Sequence, residues 1–492
     1  MKEKEMDKKD LLNEFEKELI KNGISRRDAL KLIGLGTASA ALLNPIESKA
    51  SEAKASDVKA KVVIVGGGLS GISTAARLMN SLSNPDVTVI EPSDVSVSYQ
   101  PGNTFIGAGV YEKKDVMYNL KDFIPQGVKL IKDKAIEFEP ENNSLTISSG
   151  EKITYDFLVV AAGLTLDFGK IKGLEELGDT YTMDEKSKIK ELFDGTGVST
   201  VYNTDAAVYT WKNMQATIEE AKKGKKLNAV FSHPDTAIKC GGAPKKMMYL
   251  MDARLNEAGK EARANVDMTF YPNSTKLFSV KEYADAIQKQ YEARNMKWKF
   301  AHNLKEVDIK NKIATFENFW DEKGDWDPDL QEYDLVRKTK KVEVNFDFLH
   351  VAPPMKAPDE IGKSSIGSGK GWVPVNKETL QHVKYANIFS LGDIAAVPLG
   401  KTGGSVRKQY KVVVDNLISA MEGKELKAKY DGYTVCPIIT GIGTVMLAEF
   451  DWSMKPTPSF PLDPTQERYI WWLLKAYILK PMTQYGMLSG RA

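Results

Sequence analysis

Two thiols are the residues of this chain best suited to redox chemistry. Cys240 lies in Ile238-Lys239-Cys240-Gly241-Gly242-Ala243-Pro244-Lys245-Lys246 and Cys436 in Tyr433-Thr434-Val435-Cys436-Pro437, and they are the only two cysteines in 492 residues. A thiolate is the nucleophile that opens and closes disulfides, and nearby cations favour it over the thiol. Lys239, Lys245 and Lys246 flank Cys240 in sequence, where they could draw in a small anion and lower the thiol pKa, or form a plain solvated basic patch. Gly241-Gly242-Ala243 leaves little side-chain bulk beside Cys240, so a planar cofactor could approach the backbone. Either cysteine taken singly also fits a small apolar core residue.

Chemistry of this kind needs elements that hold a redox cofactor. Lys61-Val62-Val63-Ile64-Val65 is an apolar run of strand length leading into Gly66-Gly67-Gly68-Leu69-Ser70-Gly71. A helical pattern over Ile72 to Leu82 and a second strand, Val87 to Ile90, follow, and Glu91 falls 20 residues after the last glycine of the loop. Strand, G-x-G-x-x-G, helix, strand, acid is the dinucleotide fingerprint. Gly66, Gly68 and Gly71 allow the tight turn and the approach of pyrophosphate to a helix N-terminus, and Glu91 is placed to accept ribose hydroxyls.

The strand Phe157–Val160 closes on Ala161-Ala162-Gly163, and much later Asn387–Leu391 closes on Gly392-Asp393. In flavoproteins with two dinucleotide domains, a late Gly-Asp binds the ribityl chain of FAD, so Asp393 points to FAD; it could equally cap the next helix. The strand Leu227–Phe231 stands where an NAD domain would begin, but Ser232-His233-Pro234-Asp235-Thr236 follows it instead of a glycine loop. The second domain is therefore expected to keep the fold without NAD.

A net charge of +2, with lysines spread evenly and no interleaved aromatic platform, gives no reason to invoke nucleic acid. Four histidines and two cysteines without ligand spacing give no basis for expecting a metal site. The first 55 residues read as a leader. Ser25-Arg26-Arg27-Asp28-Ala29-Leu30-Lys31 is a twin-arginine pattern, with Ala29 where a large apolar residue is usual. An apolar stretch from Leu32 to Leu43 and small-residue cleavage candidates near Ala50 and Ala55 complete it. Such export places a folded flavoprotein in the periplasm, where thiols can stay oxidised.

From about Lys61 onward the chain resembles the sulfide:quinone oxidoreductases, in the branch that includes the mitochondrial enzymes. The resemblance is carried by Tyr99-Gln100-Pro101 with Gly107-Ala108-Gly109, the segment Phe231–Leu250, and Leu349-His350-Val351-Ala352-Pro353-Pro354-Met355. It continues through Lys377–His382, Gly392-Asp393, Asp431–Pro437 and Leu447–Asp451. It implies that Cys240 and Cys436 are the family's redox pair, joined as a disulfide beside the flavin. Sulfide would open that disulfide, and the freed sulfur would deliver electrons to FAD and on to quinone. No cysteine stands near Tyr99, so the FAD is expected to be non-covalent. His350 and His382, in matched motifs, are candidates for proton handling or for structural hydrogen bonds.

Arg468–Pro481 is apolar and aromatic with flanking Lys and Arg, too short to span a bilayer. It suits an amphipathic helix lying in the membrane surface, or one packed on the core. Tyr433 to Met446 and Tyr485 are expected near a quinone pocket. The expected architecture is α/β with a leader at 1–55 and a discontinuous FAD domain at 56–175 and 356–430. A second Rossmann-like domain at 176–355 and a membrane-associating C-terminal region at 431–492 complete it. A homo-oligomer is left open, and the exported flavoprotein subunit of a flavocytochrome c sulfide dehydrogenase, donating to haem, is the alternative.

Overall fold

The computed structural model describes residues 8–25, 28, 55–97, 100–327, 329–369 and 371–492. Arg26, Arg27, the stretch 32–43, Ala50 and Tyr99 lie outside the described residues. The chain divides into two units, one of Met1–Gly102, Val110–Thr165 and Lys356–Ala492, the other of Asn103–Gly109 and Leu166–Met355.

In the first unit, Lys61–Val65 is the central strand of a five-stranded parallel sheet. The order is Ile388–Ser390, Phe157–Val160, Lys61–Val65, Asp86–Ile90 and Lys129–Ile131. Burial on both faces is why the inner strands read as continuous Val, Ile and Leu runs; Val62, Val63 and Ile64 are fully buried. Because the strands run the same way, their C-terminal ends share one edge. The glycine loop, Glu91, Gly163 and Gly392-Asp393 all leave from that edge, although the chain departs and returns between them. Helix Leu69–Ser81 packs beside helix Gly403–Met421, which in turn meets the antiparallel hairpin Thr434–Gly441 and Thr444–Phe450.

Over 468–481 the segment expected to be one amphipathic helix, on the membrane surface or packed on the core, is broken into shorter turns. Tyr469–Leu473 is a short α-helix that runs into π-helical turns, Leu474–Ile478 and Met482–Met487. Ile470, Trp471, Trp472, Leu473 and Lys475 are buried. The cause is packing: the helix lies against strand Thr444–Phe450 and against helix Lys8–Lys21 at the other end of the chain. Leu11, Phe15 and Leu19 of that N-terminal helix are buried, spaced four residues apart on one face, and the Arg468 guanidinium donates to the Asn22 side-chain oxygen. Among the described residues, no helix is long and apolar enough to cross a membrane.

The second unit repeats the parallel plan. Its sheet runs Val198–Ser199, Phe348–His350, Leu227–His233, Val266–Pro272, Lys297–Trp298. Helix Thr204–Lys222 is capped by the Asn203 side chain, which accepts from the Asp205 and Ala206 amides. Helix Ala243–Ala258 follows the central strand. A three-stranded antiparallel sheet, His302–Asp308, Ile313–Asp327 and Glu332–Asn345, extends this unit as a long hairpin whose outer part is exposed. Nothing in the sequence reading singled out that hairpin.

Candidate functional site

The cradle at the edge of the first sheet is built by steric exclusion. A Cβ on Gly71 would lie 1.8 Å from the Gly66 carbonyl oxygen, and one on Gly66, which adopts φ +109°, would lie 2.5 Å from the Ala161 oxygen. Only glycine lets strand, turn and helix pack this closely. A Cβ on Gly68 or Gly163 would meet nothing within 4 Å, so open space lies over the loop. Helix Leu69–Ser81 begins there without a side-chain cap, leaving first-turn amides to face an anion.

Glu91 borders this space. Its carboxylate accepts from the Gly67 amide at 2.7 Å and the Ser93 amide at 2.9 Å. Burial raises its pKa, and those two amides oppose the rise. Gly392, at φ +76°, approaches Ser70 so closely that a Cβ would lie 2.3 Å from its hydroxyl, and the Gly392 amide donates to Gln409 at 2.9 Å. Asp393 follows in the same turn. Lys401, which the sequence reading missed, donates to the carbonyls of Asp393 and Ala395 and lies 3.9 Å over the Trp372 ring. Burial lowers its pKa to about 8. Its only sequence signal is a lysine just before a helix start at Gly403. Open space over small glycines, uncapped helix amides and a buried carboxylate fit an adenine dinucleotide such as FAD.

Cys436 is buried in strand Thr434–Gly441, paired with Ala448. The preceding Val435 packs on the start of helix Gly403–Met421, where a Cβ on Gly404 would lie 2.0 Å from it. The thiol is thus carried by a strand that packs on the helix meeting the Gly392-Asp393 turn. Tyr433 donates to Glu449 at 2.5 Å, and burial is the main cause raising its pKa.

Cys240 belongs to the second unit, in the connection 234–242 after strand Leu227–His233, three residues before helix Ala243–Ala258 begins. It adopts φ +92°, a conformation side chains rarely take, and is buried. Its carbonyl accepts from the Ala243 amide at 2.7 Å and from the Tyr202 hydroxyl at 3.4 Å. The three lysines that are equivalent in sequence separate in space. Lys246 donates to the Cys240 Sγ at 3.3 Å, Lys245 donates to the Gly241 carbonyl at 3.0 Å and lies over Phe270, and Lys239 binds the Thr182 hydroxyl. All three are buried, so the solvated-patch alternative fails.

Cys240 lies in the second unit and Cys436 in the first. His382 is a structural hydrogen bonder: its Nδ1 accepts from the Lys384 and Tyr385 amides and its Nε2 donates to the Ile366 carbonyl at 3.2 Å. His350 is fully buried, stacks on Phe231, and neither ring nitrogen has a hydrogen-bond partner. Burial drives its pKa down to about 3. His233 falls to about 3 for the same reason, with the Lys245 charge adding to it.

Two dinucleotide-type folds, a glycine cradle and two thiols define a flavoprotein oxidoreductase of the α/β class. Residues 60–200 match the family model described as pyridine nucleotide-disulphide oxidoreductase. The chain is 35% identical over 431 residues to the mitochondrial sulfide:quinone oxidoreductase of Mus musculus, covering 87% of this chain and 86% of that protein. It is 36% identical over 433 residues to the mitochondrial sulfide:quinone oxidoreductase of Dictyostelium discoideum, covering 88% and 86%. The crystal structure of the Aquifex aeolicus sulfide:quinone oxidoreductase shares the fold, with a TM-score of 0.62 at 21% identity over 81% of this chain and 85% of that one. The chain belongs to the sulfide:quinone oxidoreductase family, and it is an FAD enzyme.

Proposed function

We propose that this enzyme oxidises sulfide and passes the electrons through FAD to quinone, with Cys240 and Cys436 as the working sulfurs. The observation that carries the reading is the family's full-length match on a chain whose only two thiols are buried in the segments that resemble the family's redox motifs. In the oxidised enzyme the two cysteines form a disulfide. Hydrosulfide attacks one sulfur, the S–S bond breaks, its electron pair stays on the departing sulfur, and a persulfide forms on the sulfur attacked. Bound FAD supplies a two-electron acceptor that is reoxidised by quinone. Gly66, Gly68 and Gly71 receive its pyrophosphate, Glu91 the adenosine ribose, and Gly163, Gly392 and Asp393 the remainder.

The connection 234–242 of the second unit carries Cys240 where a pyrophosphate-binding glycine loop would stand, so NAD is no part of the cycle. The Ser25–Lys31 motif supports twin-arginine export and work at the periplasmic face of the inner membrane. Exposed Tyr469 and Tyr485 in the C-terminal segment supply aromatic contacts to that surface. The relatives named above are mitochondrial, so location is tested directly: a reporter active only after export should follow the first 55 residues outward, and Arg26→Lys with Arg27→Lys should hold it inside.

Purified enzyme should reduce a ubiquinone or menaquinone analogue with sulfide, and NADH should not replace sulfide. Sulfide-dependent reduction of a cytochrome but of no quinone would overturn the proposal.

A further inference from the structure

We infer that Lys246 is the counter-cation of the Cys240 sulfur and holds it as an anion. The inference rests on the proposed redox role of Cys240 and names the group that makes that sulfur a good nucleophile and a good leaving group.

Three observations converge. The Lys246 Nζ donates to Sγ at 3.3 Å from a side chain with no exposed surface. An ammonium so deeply buried is costly unless it faces negative charge, and in that low-dielectric setting its effect on a thiol is large. Next, helix Ala243–Ala258 carries Lys245 and Lys246 in its first turn, has no acidic residue there, and lacks a side-chain cap. Cations at a helix N-terminus oppose the macrodipole, a local cost that makes sense where an anion is to sit. Finally, Cys240 is held at φ +92°, a conformation strained for a residue with a side chain, and in that conformation its sulfur meets Nζ.

The surroundings divide the work. Lys245 is engaged with the Gly241 carbonyl and Phe270, and Lys239 with Thr182. His233, whose Nε2 would lie 3.6 Å from a Cβ on Gly241, is kept neutral by burial and by Lys245. Tyr202 donates to the Cys240 carbonyl. His350, packed near the Tyr202 ring, is neutral as well. When an S–S bond to Cys240 breaks and the electron pair stays on Sγ, the Lys246 N–H donates to the new thiolate. Lys246 remains an ammonium throughout, and no proton is exchanged.

The test uses full-length, FAD-loaded protein carrying Cys436→Ser, so that one thiol reports. Iodoacetamide alkylation of Cys240 is followed against pH. Its midpoint should lie below the ordinary value of about 8.5. Lys246→Met should raise the midpoint by about one unit or more and slow alkylation at pH 7 by about tenfold, whereas Lys246→Arg should keep both near the starting values. Bound flavin absorbance reports that each variant has folded; if Lys246→Met has not, Lys246→Gln is read in the same way. An unmoved midpoint in a folded variant overturns the inference, even where Cys240→Ser abolishes sulfide oxidation. A raised midpoint with undiminished sulfide:quinone turnover, measured in Lys246→Met with Cys436 intact, keeps the ion pair and overturns the redox role of Cys240.

Discussion

The two units turn the same corner in different ways. In the first, strand Lys61–Val65 passes to helix Leu69–Ser81 through Gly66-Gly67-Gly68. In the second, strand Leu227–His233 reaches helix Ala243–Ala258 through the longer connection 234–242. Both helices start without a side-chain cap. The first leaves its amides open over glycines, as a pyrophosphate requires. The second places a thiol and two buried lysines at the same topological position. One parallel βαβ plan thus serves anion binding twice, once for a nucleotide and once, in our proposal, for a sulfur anion.

The sharpest break in that comparison comes from the sulfurs. Cys240→Ser and Cys436→Ser should each cut sulfide-dependent flavin reduction by about a thousandfold or more while FAD stays bound, read by anaerobic stopped-flow absorbance. Full turnover in either variant would refute the paired-cysteine mechanism.

Next in size is a paired glycine test. Gly71→Ala puts a methyl 1.8 Å from the Gly66 carbonyl, whereas a Cβ on Gly241 meets nothing nearer than the His233 Nε2 at 3.6 Å. Gly71→Ala should yield protein that cannot retain FAD, with overpacking alone costing about 1–3 kcal/mol. Gly241→Ala should leave flavin content unchanged. Equal losses in both would mean that the two turns are not specialised as described.

Glu91→Gln keeps the shape of the side chain and removes its charge. It should weaken FAD binding about tenfold to a hundredfold, the worth of charge-assisted hydrogen bonds, measured by flavin release on dilution.

The smallest effect is on stability. His233 and His350 take up protons near pH 6.5 when unfolded and only near pH 3 when folded. Their contribution is therefore fully present above about pH 6.5 and is lost progressively as pH falls toward 3. His350→Phe should flatten the acid limb of a urea-midpoint profile across that window; an unaltered profile would place the acid sensitivity elsewhere.

How much of this could be read from the chain follows from how local each signal is. The strand-glycine-helix segment from Lys61 to Ser81 is legible because its constraints act between near neighbours: a parallel strand is apolar throughout, and Gly71 must clear Gly66. Glu91 is legible by spacing, one βα crossover away. Gly392 was recognised by its motif, but its contact with Ser70 depends on the far end of the sheet. Lys239, Lys245 and Lys246 were indistinguishable until the helix and the Cys240 turn gave each a different partner. For the C-terminal aromatics the chain left a membrane surface and packing on the core both open, because sequence cannot show that helix Lys8–Lys21 packs on the same segment.

By itself, then, the sequence determined the parallel α/β plan, the nucleotide cradle and the identity of the two thiols, because periodicity, glycine sterics and residue scarcity are properties of the chain. Only the tertiary structure decided which lysine meets the Cys240 sulfur and that His350 is sealed without a partner. It alone showed that Trp471 and Trp472 are buried. Burial and charge pairing are set by residues distant in sequence, and they change the cost of an ion far more than any neighbour along the chain can.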